Sequence, residues 1–119
     1  MEDLKFALAI GIPFAFGFYG FPSFDDAINP GDVPFPSHEE DAQWAHAVMA
    51  VGYDDDKIII HPYSGEKSKG AFKIRNSWGR NWGEEGYGWI PYGYFLHQLA
   101  DDLWALVDME WLQTGGFDV

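Results

Sequence analysis

The sequence contains no cysteine, few basic residues and no long apolar run. Without cysteine the chain forms no disulfide and has no thiolate metal site or thiol nucleophile of its own. Seven basic residues stand against 19 acidic ones, which gives a net charge of −12. Nucleic-acid binding needs a cationic face, and anionic lipid headgroups repel an acidic one. We therefore expect neither a nucleic-acid partner nor a membrane partner.

No apolar run approaches the roughly 18 residues of a membrane span, and the acidic start MEDLKF is unlike an export signal. The sequence does not indicate a compartment. Its length of 119 residues fits a single domain, residues 1–119, which can bury a core without disulfides. Six tryptophans beside 14 glycines favour strands and tight turns packed under large rings.

Hydrophobic periodicity predicts two short helical segments and five or six strands. A helix begins near Glu2 and ends at Gly11, and a helical turn lies near Phe24–Asp26. The predicted strands are Ile12–Phe18, Ala45–Tyr53, Lys57–His61, Ala71–Asn76, Tyr87–Pro91 and Leu103–Asp108.

The connections between these strands are short, which favours an antiparallel sheet. The acidic run Asp54–Asp56 is predicted as the turn of a hairpin, Ser64–Lys69 as a polar loop and His97–Asp102 as a helical turn. The predicted fold is α+β, with a small antiparallel, barrel-like sheet and short helices.

Two segments depart from what packing alone requires. AHAV places His46 at the start of an apolar strand, and NSWGRNWG begins at Asn76, 30 residues further on. An imidazole that shuttles protons needs a second group to fix its tautomer, and an amide oxygen can do so. An indole beside that hydrogen bond excludes competing water, and Trp78 is placed to supply it.

These segments resemble the papain-like family of cysteine peptidases. AHAVMAVGYDD and GAFKIRNSWGRNWGEEGYGWIPY are similar to the C-terminal half of that family. The ending PYGYFLHQLADDLWALV is similar to its prokaryotic members, and GIPFAFGFYGFPSFDDA extends the match towards the N-terminus. The resemblance implies peptide-bond hydrolysis by a Cys-His-Asn site without a cofactor, with this chain as the second domain of a papain-like fold.

The resemblance also assigns roles to individual residues. His46 would be the general base and Asn76 the residue that orients it. Trp78 would shield their hydrogen bond, Trp82 would wall the leaving-group side of the cleft, and Ala45 would line the main specificity pocket. The family's nucleophile is a cysteine on the N-terminal domain, so we expect this chain alone not to hydrolyse peptides.

A different interpretation is a stand-alone, non-catalytic binding module. Its apolar half-cleft would take the Cys-bearing N-terminal domain, a second copy of the chain or a peptide as a partner. A third, a hydrolase based on Ser77, lacks a second histidine or acid to activate the hydroxyl.

No metal site is expected, because no two of the remaining histidines have ligand spacing on one element. We interpret these histidines as surface or loop residues and Glu39–Asp41 as solvated charge that could rim a cleft near His46. The three histidines are His38, His61 and His97.

Overall fold

The computed structural model describes residues 1–105, and for 102–105 the backbone alone. In chain order its elements are helix α1 (Glu2–Ala9), strand β1 (Phe14–Gly20), a 3₁₀ helix (Pro22–Asp26), β2 (Trp44–Ile60), β3 (Lys67–Arg75), β4 (Tyr87–Pro91), helix α2 (Gly93–Leu96) and β5 (Ala100–Ala105). Both the N-terminal helix and the helical turn near residue 24 agree with the sequence-based prediction.

The strands form one five-stranded sheet in the order β4-β3-β2-β1-β5, and each neighbouring pair is antiparallel. The predicted α+β fold with an antiparallel sheet is confirmed. The predicted barrel-like closure is wrong, because β4 and β5 are edges that do not pair with each other in the described chain. The outer edge of β4 is instead occupied by a loop, through hydrogen bonds between Trp89 and the backbone of Gly31 and Val33.

The core lies on one face of the sheet. Large residues alternate with small ones along β1, so Phe14, Phe16 and Phe18 all point inward and are buried. They pack on Phe72 and Ile74 of β3, and the rings of Phe14 and Phe72 meet edge to face at 5.6 Å. This apolar layer fixes β1, β2 and β3 relative to one another.

The predicted hairpin turn at Asp54–Asp56 is wrong, because β2 runs without a break from Trp44 to Ile60. Shifts in its register with β3 absorb the extra residues, one of them between Asp54 and Ile58. The Asp55 carboxylate is held by Lys5 Nζ at 2.9 Å and by the Tyr92 hydroxyl at 2.7 Å. These contacts hold the acidic run in an extended conformation, and the real hairpin turn connects β2 to β3.

Two boundaries near the ends of elements also differ from the prediction. The predicted loop Ser64–Lys69 is shorter, because β3 already begins at Lys67. The helical turn predicted at His97–Asp102 is wrong, since α2 lies earlier and β5 starts at Ala100. Gln98, at a φ of 61°, ends the helical path. The predicted last strand overlaps β5, and its residues 106–108 lie outside the described residues.

Candidate active site

His46 and Asn76 lie side by side at one end of the β2–β3 pair. His46 is the third residue of β2, and Asn76 directly follows β3. His46 Nε2 lies 2.8 Å from Asn76 Oδ1. Because an amide oxygen only accepts, the ring carries its proton on Nε2 and Nδ1 keeps its lone pair. No hydrogen bond to Nδ1 is formed by the described backbone or by the side chains of residues 1–101, so this nitrogen can accept a proton from an incoming group.

Asn76 is buried and fixed by its backbone. It is 5% exposed, and its N–H donates to the Gly86 carbonyl at 2.9 Å. Its Oδ1 accepts a second hydrogen bond, from the Trp78 backbone N–H at 3.3 Å. The amide Nδ2 is buried and has no partner in the described part of the chain. The amide is therefore oriented by its oxygen, which faces His46.

Trp78 covers the imidazole. Its ring stacks on that of His46 with centroids 4.5 Å apart and an interplanar angle of 28°. Trp78 is nevertheless 47% exposed. This places an apolar ring beside the His46–Asn76 hydrogen bond, where it reduces competition from water.

An aromatic cluster supports Trp78 from behind. At its centre is Phe24 of the 3₁₀ helix, whose ring lies 4.9 Å from Trp44, 5.9 Å from Trp78 and 6.1 Å from Trp82. Trp82 is stacked on Phe24 and meets Trp78 edge to face at 5.9 Å. Among the described residues, Trp82 therefore packs against the rings that support Trp78. Its contact with substrate stays a prediction.

Ala45 is exposed, and alternation along β2 turns its side chain to the sheet face opposite His46. Its role in substrate binding stays a prediction. Ser77 is exposed too, and its hydroxyl forms no hydrogen bond with the described backbone or with the side chains of residues 1–101. That arrangement gives no support to a serine nucleophile.

A second polar cluster was missed by sequence reasoning. His61, interpreted above as a surface or loop residue, is 4% exposed, and its Nε2 donates to Glu40 Oε2 at 2.8 Å. Burial alone would raise the pKa of Glu40, but hydrogen bonds from His61, Ser37 and Ser23 outweigh it and lower that pKa to about 2. Glu40 therefore serves this cluster and does not rim a cleft at His46.

The sequence held only a faint sign of this cluster: His61 closes the apolar run Ile58–Ile60, as a buried strand end would. Its partner is 21 residues away in an irregular loop, so no spacing rule connects them. The other two histidines, His38 and His97, are exposed as expected.

Neither a metal site nor a spanning helix is found in the part of the chain that the structure describes. The side chains of residues 1–101 include no group of three or more His, Cys, Asp or Glu that could hold a metal ion. Within the same residues, no helix has the length and apolar character needed to cross a membrane.

The family profile described as papain family cysteine protease matches residues 25–100, which include both His46 and Asn76. The chain belongs to the papain family of cysteine proteases. An uncharacterized peptidase C1-like protein of Acanthamoeba polyphaga mimivirus is 36% identical over 113 residues, which are 92% of this chain and 32% of that protein. Pro-cathepsin H of Bos taurus is 44% identical over 55 residues, 46% of this chain and 13% of that protein.

Among solved structures, that of xylellain, a cysteine protease from Xylella fastidiosa, is 40% identical to this papain-family chain. The TM-score is 0.68, and the match covers 87% of this chain and 35% of that one. The chain thus spans about a third or less of the length of these relatives. The 119 residues contain no cysteine, so they carry no thiol nucleophile.

Proposed function

We propose that this chain is the C-terminal, His/Asn-bearing domain of a papain-like cysteine peptidase of prokaryotic type. The observation that carries the proposal is the 2.8 Å hydrogen bond between His46 and Asn76 under the Trp78 ring, in a chain of the papain family. The likeness to the Xylella protease supports the prokaryotic type. The nucleophilic cysteine would lie outside these 119 residues.

In the proposed mechanism His46 Nδ1 takes the proton of the cysteine thiol. The resulting thiolate attacks the peptide carbonyl carbon, and the imidazolium then donates the same proton to the leaving amine nitrogen. Water next attacks the thioester by the reverse proton path and releases the acid. Asn76 holds the Nε2–H throughout, so Nδ1 keeps facing the reacting atoms, and no cofactor takes part.

The substrate would contact three further residues in this proposal. Trp78 and Trp82 would form the wall on the leaving-group side, and Ala45 would line a pocket open to bulky apolar side chains. The substrate is a peptide or protein held between this domain and the Cys-bearing one.

A non-catalytic binding or dimerising module is the second proposal. Its support is the exposure of large rings at this end of the molecule, with Trp78 at 47% and Tyr19 at 49%. In that case the exposed half-cleft would pair with a Cys-bearing domain on another chain or with a second copy of this one.

A chimera tests the catalytic proposal, in which this chain replaces the matching segment of the Xylella protease. We expect the chimera to cleave a peptide substrate, and His46→Ala to lower kcat/KM by about 10³-fold or more, since the thiol loses its base. Asn76→Ala should lower kcat/KM by about 10²-fold, since Nδ1 is no longer held in place. The 119-residue chain alone should show no hydrolysis.

His38→Ala is the matched control, because His38 is exposed and forms no hydrogen bond within the described residues. A folded chimera whose thiol reacts with iodoacetamide, and in which H46A is as active as H38A, would refute the role of His46. A folded but inert chimera, together with a tight symmetric dimer of the free chain, would favour the binding module.

A further inference from the structure

The Glu40–His61 pair is a saturated, buried polar unit outside the candidate active site. The two side chains are 8% and 4% exposed. The oxygens of Glu40 accept three hydrogen bonds, from the backbone N–H groups of Ser23 and Ser37 at 2.7 Å each and from His61 Nε2 at 2.8 Å. A buried carboxylate bound by three donors in this way favours one local structure.

The other nitrogen of His61 is also occupied. Nδ1 accepts from the backbone N–H groups of Tyr63 at 3.1 Å and Ser64 at 3.3 Å. The ring proton therefore lies on Nε2 and is donated to Glu40. Through this one imidazole the pair ties the turn after β2 to the loop that carries Glu40.

The 3₁₀ helix Pro22–Asp26 is held at its start by Glu40 and at its end by Tyr63, whose backbone N–H is bound by His61 Nδ1. It is five residues long, and a 3₁₀ helix of that length is not stable without tertiary contacts. Glu40 binds the Ser23 N–H near its start, and the Tyr63 hydroxyl donates to the Asp26 carboxylate at its end. That hydrogen bond raises the pKa of Tyr63 to about 12.

Between the two anchored ends lies Phe24, whose ring contacts Trp78, which in turn stacks on His46. We propose that the Glu40–His61 pair is a clasp that positions Phe24 and, through it, holds the Trp78 ring over the His46 imidazole. Glu40 and His61 are thus positioning residues. The catalytic significance of the clasp rests on the proposed function, whereas its effect on the stacking does not.

The test compares His61→Phe and Glu40→Gln in the full 119-residue chain with the neighbouring exposed substitutions His38→Phe and Glu39→Gln. In the clasp variants, we expect hydrogen exchange of the Phe24 amide to become about tenfold faster, because the 3₁₀ helix loses an anchor. The NMR shifts of the His46 ring protons should move towards those of a Trp78→Ala chain. His61→Gln, which can still donate to Glu40, should restore part of both signals.

If His61→Phe does not fold, Glu40→Gln serves alone. Tyr63→Phe tests the second anchor, at Asp26, since the exposed Tyr63 loses only its hydroxyl, and it should change both readouts in the same direction, by less. Folded H61F or E40Q chains whose Phe24 exchange and His46 shifts match those of H38F and E39Q would overturn the clasp. An inactive chimera would count against the proposed function alone, because neither readout requires catalysis.

Discussion

Replacing Gly20 with alanine inserts a methyl group into space that the Trp44 ring occupies. Gly20 lies directly opposite Trp44 in the β1–β2 register. A Cβ built on Gly20 would overlap three carbons of the indole, well inside the roughly 3.5–4.0 Å at which carbon atoms normally touch. The ring would have to move by more than an ångström.

Three aromatic rings restrict the movement of the indole. Its neighbours are Phe18 at 5.8 Å, Phe24 at 4.9 Å and Trp78 at 6.0 Å, measured between ring centroids. Overpacking of this kind costs about 1–3 kcal/mol. With a urea m-value of about 1.5 kcal/mol/M, the midpoint of unfolding should fall by about 0.7–2 M.

Gly17→Ala is the matched control, because it makes the same substitution three residues earlier on β1. Its nearest atoms would lie at 3.8 and 3.9 Å, which is ordinary contact. We expect G17A to change the unfolding free energy by no more than about 0.5 kcal/mol. Equal midpoints for G20A and G17A in urea titrations followed by circular dichroism would refute the reasoning that Gly20 is required by the Trp44 ring.

Three further outcomes are expected. Because the pKa of Glu40 is lowered from an ordinary 4.5 to about 2, its stabilisation is complete above pH 4.5 and is lost as the pH falls towards 2. That loss is at most about 3 kcal/mol, and urea midpoints at pH 5 and pH 3 should differ less in E40Q than in the unchanged chain. Asn76→Ala should lower the unfolding free energy by about 1–2 kcal/mol in urea titrations, since two donors lose their acceptor. Trp78→Ala should cost only about 0.5–1.5 kcal/mol by the same measurement, because the ring is half exposed, but it should remove the ring-current shift of the His46 protons.

Local sequence pattern was sufficient to predict most of the sheet, because the alternation of large and small residues along a strand shows which of its faces is buried. Along β1 the Phe-small-Phe rhythm predicted an inward row, and the structure has it. The acidic run on β2 was predicted as a turn because aspartates there look solvated. Its extended conformation depends on Lys5 and Tyr92, which approach Asp55 from 50 and 37 residues away along the chain. A rule based on neighbouring residues cannot predict contacts with partners so far away along the chain.

The polar residues can also be divided into those that local sequence patterns predicted and those that they missed. His46 and Asn76 stood out in the sequence because a histidine in an apolar strand and an amide at a strand end are unusual there. His61 did not stand out, because its hydrogen-bond partner Glu40 lies in an irregular loop whose path no periodicity encodes. Sequence patterns therefore find functional groups on strands more readily than polar clusters that bind loops together.

The turn that follows β3 explains why the asparagine and the tryptophan are two residues apart. The strands pair Met49 with Arg75, and the chain then leaves the sheet in a turn in which the Trp78 N–H donates to Asn76 Oδ1. The acceptor and the stacked ring therefore both come from this turn and both contact His46. The placement of the imidazole is then a property of this strand pair, and the thiol in the proposed mechanism adds reactivity to a base that is already oriented. What the turn does not fix is the tilt of the half-exposed Trp78 ring, which is the quantity that the clasp would control.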